Sequence, residues 1–350
     1  MADFGPFEPG RIIYRWDLDK TYLRTEFDTV RDLLRTAVEP PQKKRTVPGA
    51  AALLRELRAT RPRAITILSG SPEQMRQVLE AKLRLDGIVW DGFTLKPSLE
   101  NLLRGRFRFL RDQVSYKLRA LLSARIDAPQ ETEEVLFGDD AEADAYIYSL
   151  YADIAAGRVD TATLLEVLRR ANVYSEDVPE FVRLASRIPR HEVVRRIFIH
   201  LDRISPAYLF DEFGPRVTAF YNYFQPALVL LEDGATTAEA ALRVGAHIVI
   251  EQGMNPDALV ASYVDLARRG QLGTKAAERI FEVAGKKDLA IQATAGRVLG
   301  RFASELEREL PKLGARPAPA ERPLDFVGLF DRDRERARAA KLRALWRRPG

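Results

Sequence analysis

Asp17 and Asp19 stand two residues apart in Trp16-Asp17-Leu18-Asp19-Lys20-Thr21, directly after the apolar run Arg11-Ile12-Ile13-Tyr14. The run reads as a short strand and the hexapeptide as the loop it feeds. Two carboxylates held this close repel each other unless positive charge compensates them. A divalent cation and a phosphoryl group would supply that compensation. The plain alternative is a polar turn after a strand. Which reading holds depends on whether distant parts of the chain bring further functional groups to the same place.

The elements that would do so alternate along the chain. Phe27, Val30, Leu33 and Leu34 recur at helical spacing until Pro40-Pro41, and the basic loop Lys43-Lys44-Arg45 then leads to Val47-Pro48-Gly49. A helix carrying Leu53, Leu54 and Leu57 follows, then the β-branched run Ala64-Ile65-Thr66-Ile67-Leu68, which opens into the turn Ser69-Gly70-Ser71-Pro72. The pattern next predicts a helix over Glu73–Arg84, a strand near Ile88–Leu95 and a helix over Arg104–Arg125 that contains Lys117. Glu134-Val135-Leu136-Phe137 reads as a strand ending in Gly138-Asp139-Asp140. Alternating strands and helices imply right-handed crossovers and a doubly wound parallel α/β sheet, whose ligands bind beyond the carboxyl ends of the strands. Asp17, Ser69 and Asp139 all fall just past such ends.

Beyond this, two helices are expected over Asp160–Arg187, strands at Val193–His200 and Val217–Tyr221, and a helix over Phe224–Glu232. From Thr236 the pattern is helical, and Lys312 to Pro323 reads as a linker. The expected organisation is a core over 1–235 with a helical insertion at about 158–190, a helical extension over 236–313, and a linker with a basic tail over 314–350.

Composition narrows the chemistry. The chain has 350 residues and no cysteine, which removes disulfides, thiolate zinc sites and cysteine nucleophiles. Met1 to Gly10 lacks the basic and apolar regions of a secretory signal, and no apolar stretch approaches a membrane span, so a cytoplasmic location is expected. The net charge is +5, and residues 331–350 account for all of it, with eight Arg or Lys against Asp331, Asp333 and Glu335. The body is neutral, so the overall basicity gives no reason to expect a specific nucleic-acid partner.

In order, these residues resemble the signatures of the haloacid dehalogenase superfamily of phosphotransferases. D-x-D-x-T appears as Asp17-Leu18-Asp19-Lys20-Thr21, an apolar strand ends in Ser69, a lysine stands at Lys117, and G-D-x-x-x-x-D runs from Gly138-Asp139 to Asp144. Residues from about 10 to 155 are more similar still to the catalytic domain of the actin-patch-associated phosphatidate phosphatase family. The shared features are Val47-Pro48-Gly49, Ser69-Gly70-Ser71-Pro72, Lys117-Leu118 and Asp144-Ala145-Tyr146-Ile147-Tyr148. The chain departs from that family in Arg15-Trp16 before the first aspartate, in Asp140-Ala141-Glu142-Ala143 between the later acids, and in the helices of Asp160–Arg187.

The resemblance implies a haloacid dehalogenase-like core without a large cap, and a division of work. Asp17 is then the nucleophile that forms an aspartyl-phosphate, and Asp19 the acid and later base, with a backbone carbonyl on the metal. Thr21 holds Asp19 or the loop in place and joins Ser69 and the Gly70 amide in the phosphate-binding set, and Lys117 neutralises the charge that develops on the phosphoryl group. Asp17, Asp139 and Asp144 complete a Mg²⁺ site, with Asp140 the alternative to Asp139, since an all-oxygen set suits magnesium. Taken singly, Ser69 is a turn residue, Lys117 a solvated helix residue with Lys96 as rival, and His200 a core or surface histidine.

The expected function is Mg²⁺-dependent hydrolysis of a phosphate monoester, with a phospholipid such as phosphatidate as the substrate the resemblance suggests. The alternatives are a phosphotransferase, and an inactive core that serves as an interaction protein through its helical half. Val327, Leu329, Phe330, Leu342, Leu345 and Trp346 lie among the basic residues of the tail, a pattern that fits an anionic membrane surface, docking on the body, or a solvated helix.

Overall fold

Tyr14 and Trp16 alternate along β1 (Ile12–Asp17) with Ile13, Arg15 and Asp17, and all six residues are buried. A strand covered on both faces in this way belongs at the centre of a sheet. The computed structural model describes residues 6–24, 40–96, 113–284, 293–314, 320–332 and 335. In it β1 pairs in parallel with β2 (Ala64–Pro72) on one side and β4 (Glu133–Asp139) on the other. With β3 (Gly92–Lys96), β5 (Val194–His200) and β6 (Val217–Phe220), the sheet runs β3-β2-β1-β4-β5-β6, parallel throughout. The chain winds outward from β1 through β2 and β3 and returns on the far side as β4. The crevice at such a reversal, beyond the carboxyl ends of β1 and β4, is where doubly wound sheets bind ligands.

Helices cover both faces. Tyr14, Trp16, Ile67, Phe137 and Phe198 pack with α1 (Ala50–Ala59) and α2 (Arg76–Leu85) in one hydrophobic cluster. On the other face Leu68, Leu136, Ile197 and Ile199 pack with a π-helical turn (Val114–Leu118), α3 (Arg119–Ile126), α4 (Asp144–Ala155), α5 (Thr161–Arg170) and α6 (Val178–Arg187). α7 (Phe224–Glu232), α8 (Ala238–Ile250), α9 (Asp257–Arg268), α10 (Lys275–Ala284) and α11 (Ala293–Glu309) all feed the first cluster. Leu242, Val244 and Ile248 of α8 therefore share one core with Trp16.

Two elements differ from expectation. β2 continues through Ser69-Gly70-Ser71-Pro72, where a turn was expected, because an irregular register against β3 lets the strand run on past Ser69. β3 starts at Gly92, since Ile88 is taken up in closing α2: its amide donates to the Leu83 carbonyl at 2.9 Å while Gly87 takes a left-handed φ of 71°. The start of the tail takes one of the expected alternatives, docking on the body. A helical segment at 326–332 lies on the body, with Phe326, Leu329 and Phe330 buried. Tyr146 of α4 meets Phe326 and Phe330 edge-on and donates its hydroxyl to the Phe326 carbonyl at 3.0 Å. Leu329 and Phe330 are therefore engaged with the protein itself.

The helix expected around Phe27 to Leu34, the start of that over Arg104–Arg125, and Leu342, Leu345 and Trp346 lie outside the described residues. So do 25–39 and 97–112, the inter-strand stretches where a cap would sit.

Candidate active site

The loop after β1 turns back on itself at Lys20, whose φ of 60° is left-handed and rare for a residue with a side chain. Such a conformation persists only where neighbours enforce it. Here the Lys20 amide donates to the Leu23 carbonyl at 2.8 Å, and the amides of Tyr22 and Leu23 both donate to the Leu18 carbonyl. Two side chains, from His200 at the end of β5 and Tyr223 just after β6, hold the loop from outside. His200 Nδ1 lies 2.7 Å from the Lys20 carbonyl, and Tyr223 donates its hydroxyl to the Thr21 carbonyl at 2.5 Å. Burial lowers the pKa of His200 below the usual imidazole value, so the ring is neutral with its proton on Nδ1.

Val47-Pro48-Gly49 clamps the same loop, the Val47 amide donating to the Tyr22 carbonyl at 2.8 Å. Gly49 has a φ of 84°, and a Cβ there would stand 2.6 Å from Ile248 and 2.9 Å from Tyr223, so only glycine allows this approach.

The loop delivers Asp17 to a cluster of charges shielded from water. Thr21 Oγ1 donates to Asp17 Oδ2 at 3.0 Å and lies 3.4 Å from Asp139 Oδ2, so one hydroxyl spans the ends of β1 and β4. Lys117 Nζ lies 3.0 Å from Asp17 Oδ1, 2.5 Å from Asp144 Oδ1 and 2.7 Å from Glu142 Oε2. Lys117 sits in the π-helical turn, whose extra residue per turn re-aims side chains and often marks functional sites. Asp139 Oδ1 accepts from the amides of Ala141 and Glu142, and the Asp139 amide donates to Asp144 Oδ2 at 3.2 Å.

Asp144 comes this close only because residue 138 lacks a side chain: a Cβ on Gly138 would fall 2.6 Å from that of Asp144. Gly138→Ala is expected to push the Asp144 carboxylate out of the cluster, abolish metal-dependent thermal stabilisation, and lower activity by about 100-fold. A thermal melt with and without added cation checks the first effect independently of turnover.

Asp19 faces a different set. Its Oδ2 accepts from Ser69 Oγ at 2.8 Å and Ser71 Oγ at 2.9 Å, while Ser69 Oγ also accepts from the Ser71 amide. Ser69 thus meets Asp19 directly, and Gly70 lies in the strand between the two serines. Asp19 Oδ1 is buried without a hydrogen-bond partner among the described residues. Asp140 points elsewhere, its carboxylate accepting from the amides of Arg203 and Ser205. Lys96 ends β3, two strands from β1.

One ammonium cannot balance this many acids. Burial, together with the charges of Asp144 and Glu142, raises the pKa values of Asp17 and Asp139 well above the usual carboxylate range, although Lys117 opposes it. Burial likewise brings Asp144 up to about 6 and raises Asp19. For Lys117, burial favours the neutral amine, but Asp144, Asp17 and Glu142 outweigh it and raise the pKa. Carboxylate oxygens of Asp17, Asp139 and Asp144 lie within 4.8 Å of one another. The excess of buried negative charge suits a hard divalent cation, which takes oxygen ligands.

The architecture is therefore that of a doubly wound α/β protein whose acids and lysine meet at the reversal of strand order. Residues 16–164 match the family model described as phosphatidate phosphatase APP1, catalytic domain. The family is one of phosphatases, and its buried acidic cluster here is compatible with a metal site. No curated protein and no solved structure matches the chain.

Of the residues singled out from sequence, Asp17, Thr21, Lys117, Asp139 and Asp144 converge on one cluster, and Ser69 joins Asp19 beside it. Four further contributors were visible in the sequence but not assigned to the site. Ser71 shares Asp19 with Ser69, as its place two residues on in the same strand permits. Glu142 was visible as a departure from the family but not as a partner of Lys117. His200 and Tyr223 support the loop through backbone carbonyls, contacts with no sequence signature.

Proposed function

We propose that this protein is a Mg²⁺-dependent phosphatase of the haloacid dehalogenase type that hydrolyses a phosphate monoester through an aspartyl-phosphate on Asp17. The observation that carries this reading is the placement of Lys117 Nζ between Asp17 and Asp144, at 3.0 and 2.5 Å, beside Asp139. Asp17, Asp139 and Asp144 would hold the cation, which when bound neutralises phosphoryl charge and lets anionic substrate approach anionic ligands. Asp17 attacks phosphorus, its free oxygen fixed by the Thr21 hydroxyl. Asp19, whose pKa burial raises, donates a proton to the leaving oxygen and later takes one from the attacking water. Ser69 and Ser71 fix the Asp19 carboxylate for both steps. Lys117 compensates the charge on the equatorial oxygens.

A panel of soluble phosphate esters and phosphatidate in vesicles, assayed with and without Mg²⁺, tests the reading. The expected outcome is Mg²⁺-dependent release of phosphate. Running the panel on a chain ended at residue 335 keeps the docked 326–332 segment and removes Arg336 to Arg348, which separates vesicle binding by the tail from catalysis. Products formed with competing alcohols separate hydrolysis from transfer.

The metal should also register as stability. Carboxyls raised in the fold keep protons that the unfolded chain releases near pH ~4, so metal-free stability falls as pH climbs through and above that value, past the Asp144 value of about 6. Mg²⁺ competes with those protons. Its stabilisation, about 2.7 kcal/mol at 100 times Kd, should therefore be full near pH 8 and much smaller near pH 5. Thermal melts at the two pH values check the sign.

A further inference from the structure

We propose that Glu142 occupies, in the resting protein, the place on Lys117 that a phosphoryl oxygen takes during turnover, and so sets the affinity of the site for phosphate. The proposal rests on the phosphatase reading for its substrate. An ammonium has three donors, and Asp17, Asp144 and Glu142 supply three carboxylates within 3.0 Å of Lys117 Nζ. Only the Asp144 contact is a hydrogen bond, but the three carboxylates crowd the ammonium, so a phosphoryl oxygen that reaches Lys117 must displace one of them.

Asp144 is fully buried and also accepts from the Asp139 amide, while Asp17 is tied by the Thr21 hydroxyl. The Glu142 side chain is 11% exposed, whereas those of Asp17, Asp144 and Lys117 are wholly enclosed. Glu142 Oε2 and Asp17 Oδ1 both lack a hydrogen-bond partner of good geometry and have only the proximity of the ammonium, but Asp17 is held through its other oxygen by the Thr21 hydroxyl. The Glu142 amide stays anchored to Asp139 Oδ1 at 2.9 Å, so rotation of the side chain outward leaves Asp139 in place. A phosphate dianion entering beside Lys117 would repel this carboxylate and displace it toward solvent. Each binding event therefore replaces one charge-assisted contact with another, and net affinity is reduced accordingly.

Removing the competing charge should tighten phosphate binding. Calorimetric titration of inorganic phosphate into full-length protein with Mg²⁺, for wild type, Glu142→Gln and Glu142→Ala, reads this directly, and steady-state kinetics on an active ester from the panel read it again. Both variants are expected to bind phosphate roughly tenfold more tightly, the size of one charge-assisted contact, with the gain falling on KM and not on kcat. Thermal melts confirm that they fold. Unchanged or weaker phosphate binding in folded variants, or none detectable in any of the three, overturns the proposal. So does a 100-fold fall in kcat at constant affinity, which would make Glu142 an acid–base group. Tighter phosphate binding without ester hydrolysis by any form would instead sink the phosphatase reading and leave Glu142 as the phosphate competitor.

Discussion

Asp17→Asn is expected to reduce phosphate-ester hydrolysis by about four orders of magnitude or more, as removal of a covalent nucleophile does elsewhere. The substitution is nearly isosteric, and the amide oxygen still accepts from Thr21 Oγ1. What disappears is the anionic oxygen that, in the proposed mechanism, attacks phosphorus. Lys117 keeps Asp144 and Glu142 as partners, so its charge stays compensated. Burial raises the pKa of Asp17 in the fold, which means that its ionised form opposes folding at neutral pH. The variant should therefore melt no lower than wild type without metal. Steady-state assays beside thermal melts make the comparison, and an equal loss of stability and activity would mean that Asp17 acts through the fold alone.

The largest expected loss of stability comes from Glu134→Ala. Glu134, on β4, takes two hydrogen bonds from the Arg15 guanidinium at 2.7 and 2.8 Å and one from the Tyr151 hydroxyl at 2.9 Å. Arg125 of α3 stands 3.6 Å away. Burial would raise its pKa, but Arg15 overcomes this and holds the carboxylate below the usual range. Truncation leaves the Arg15 charge buried without its partner, a change that costs about 3–5 kcal/mol. The network joins β1, two residues before Asp17, to α4, which carries Asp144, so the site loosens with it. Urea unfolding measures the loss, and Glu134→Gln, which keeps an acceptor, should cost less. A change below about 1 kcal/mol for the alanine variant would show that this ion pair is replaceable by water.

The fold was legible where local pattern and tertiary role coincide. The apolar run Val135–Phe137 is buried on both faces, so burial writes itself into the sequence as unbroken apolar character. The convergence of Asp17 and Asp139 followed from parallel topology, because both had to lie at carboxyl ends. Other features depend on residues far apart in the chain. The π-helical turn that aims Lys117 has no periodicity of its own, and the extension of β2 through Ser71 comes from its pairing with β3. The tail showed amphipathic character without revealing its partner. Tyr146 stands 180 residues before Phe326, and only the folded chain shows that they meet. His200 read as a generic histidine because its function is to bond a carbonyl, a group that every residue possesses.

The central claim, that Asp17 carries the phosphoryl group between substrate and water, is tested most directly by trapping it. Protein mixed with an active ester and Mg²⁺, quenched in acid and reduced with borohydride, should yield homoserine at position 17 on peptide mass mapping. The conversion should require both substrate and Mg²⁺ and be absent in Asp17→Asn. An active enzyme that accumulates no modification at Asp17, and whose Asp17→Asn variant still turns over, would contradict the account.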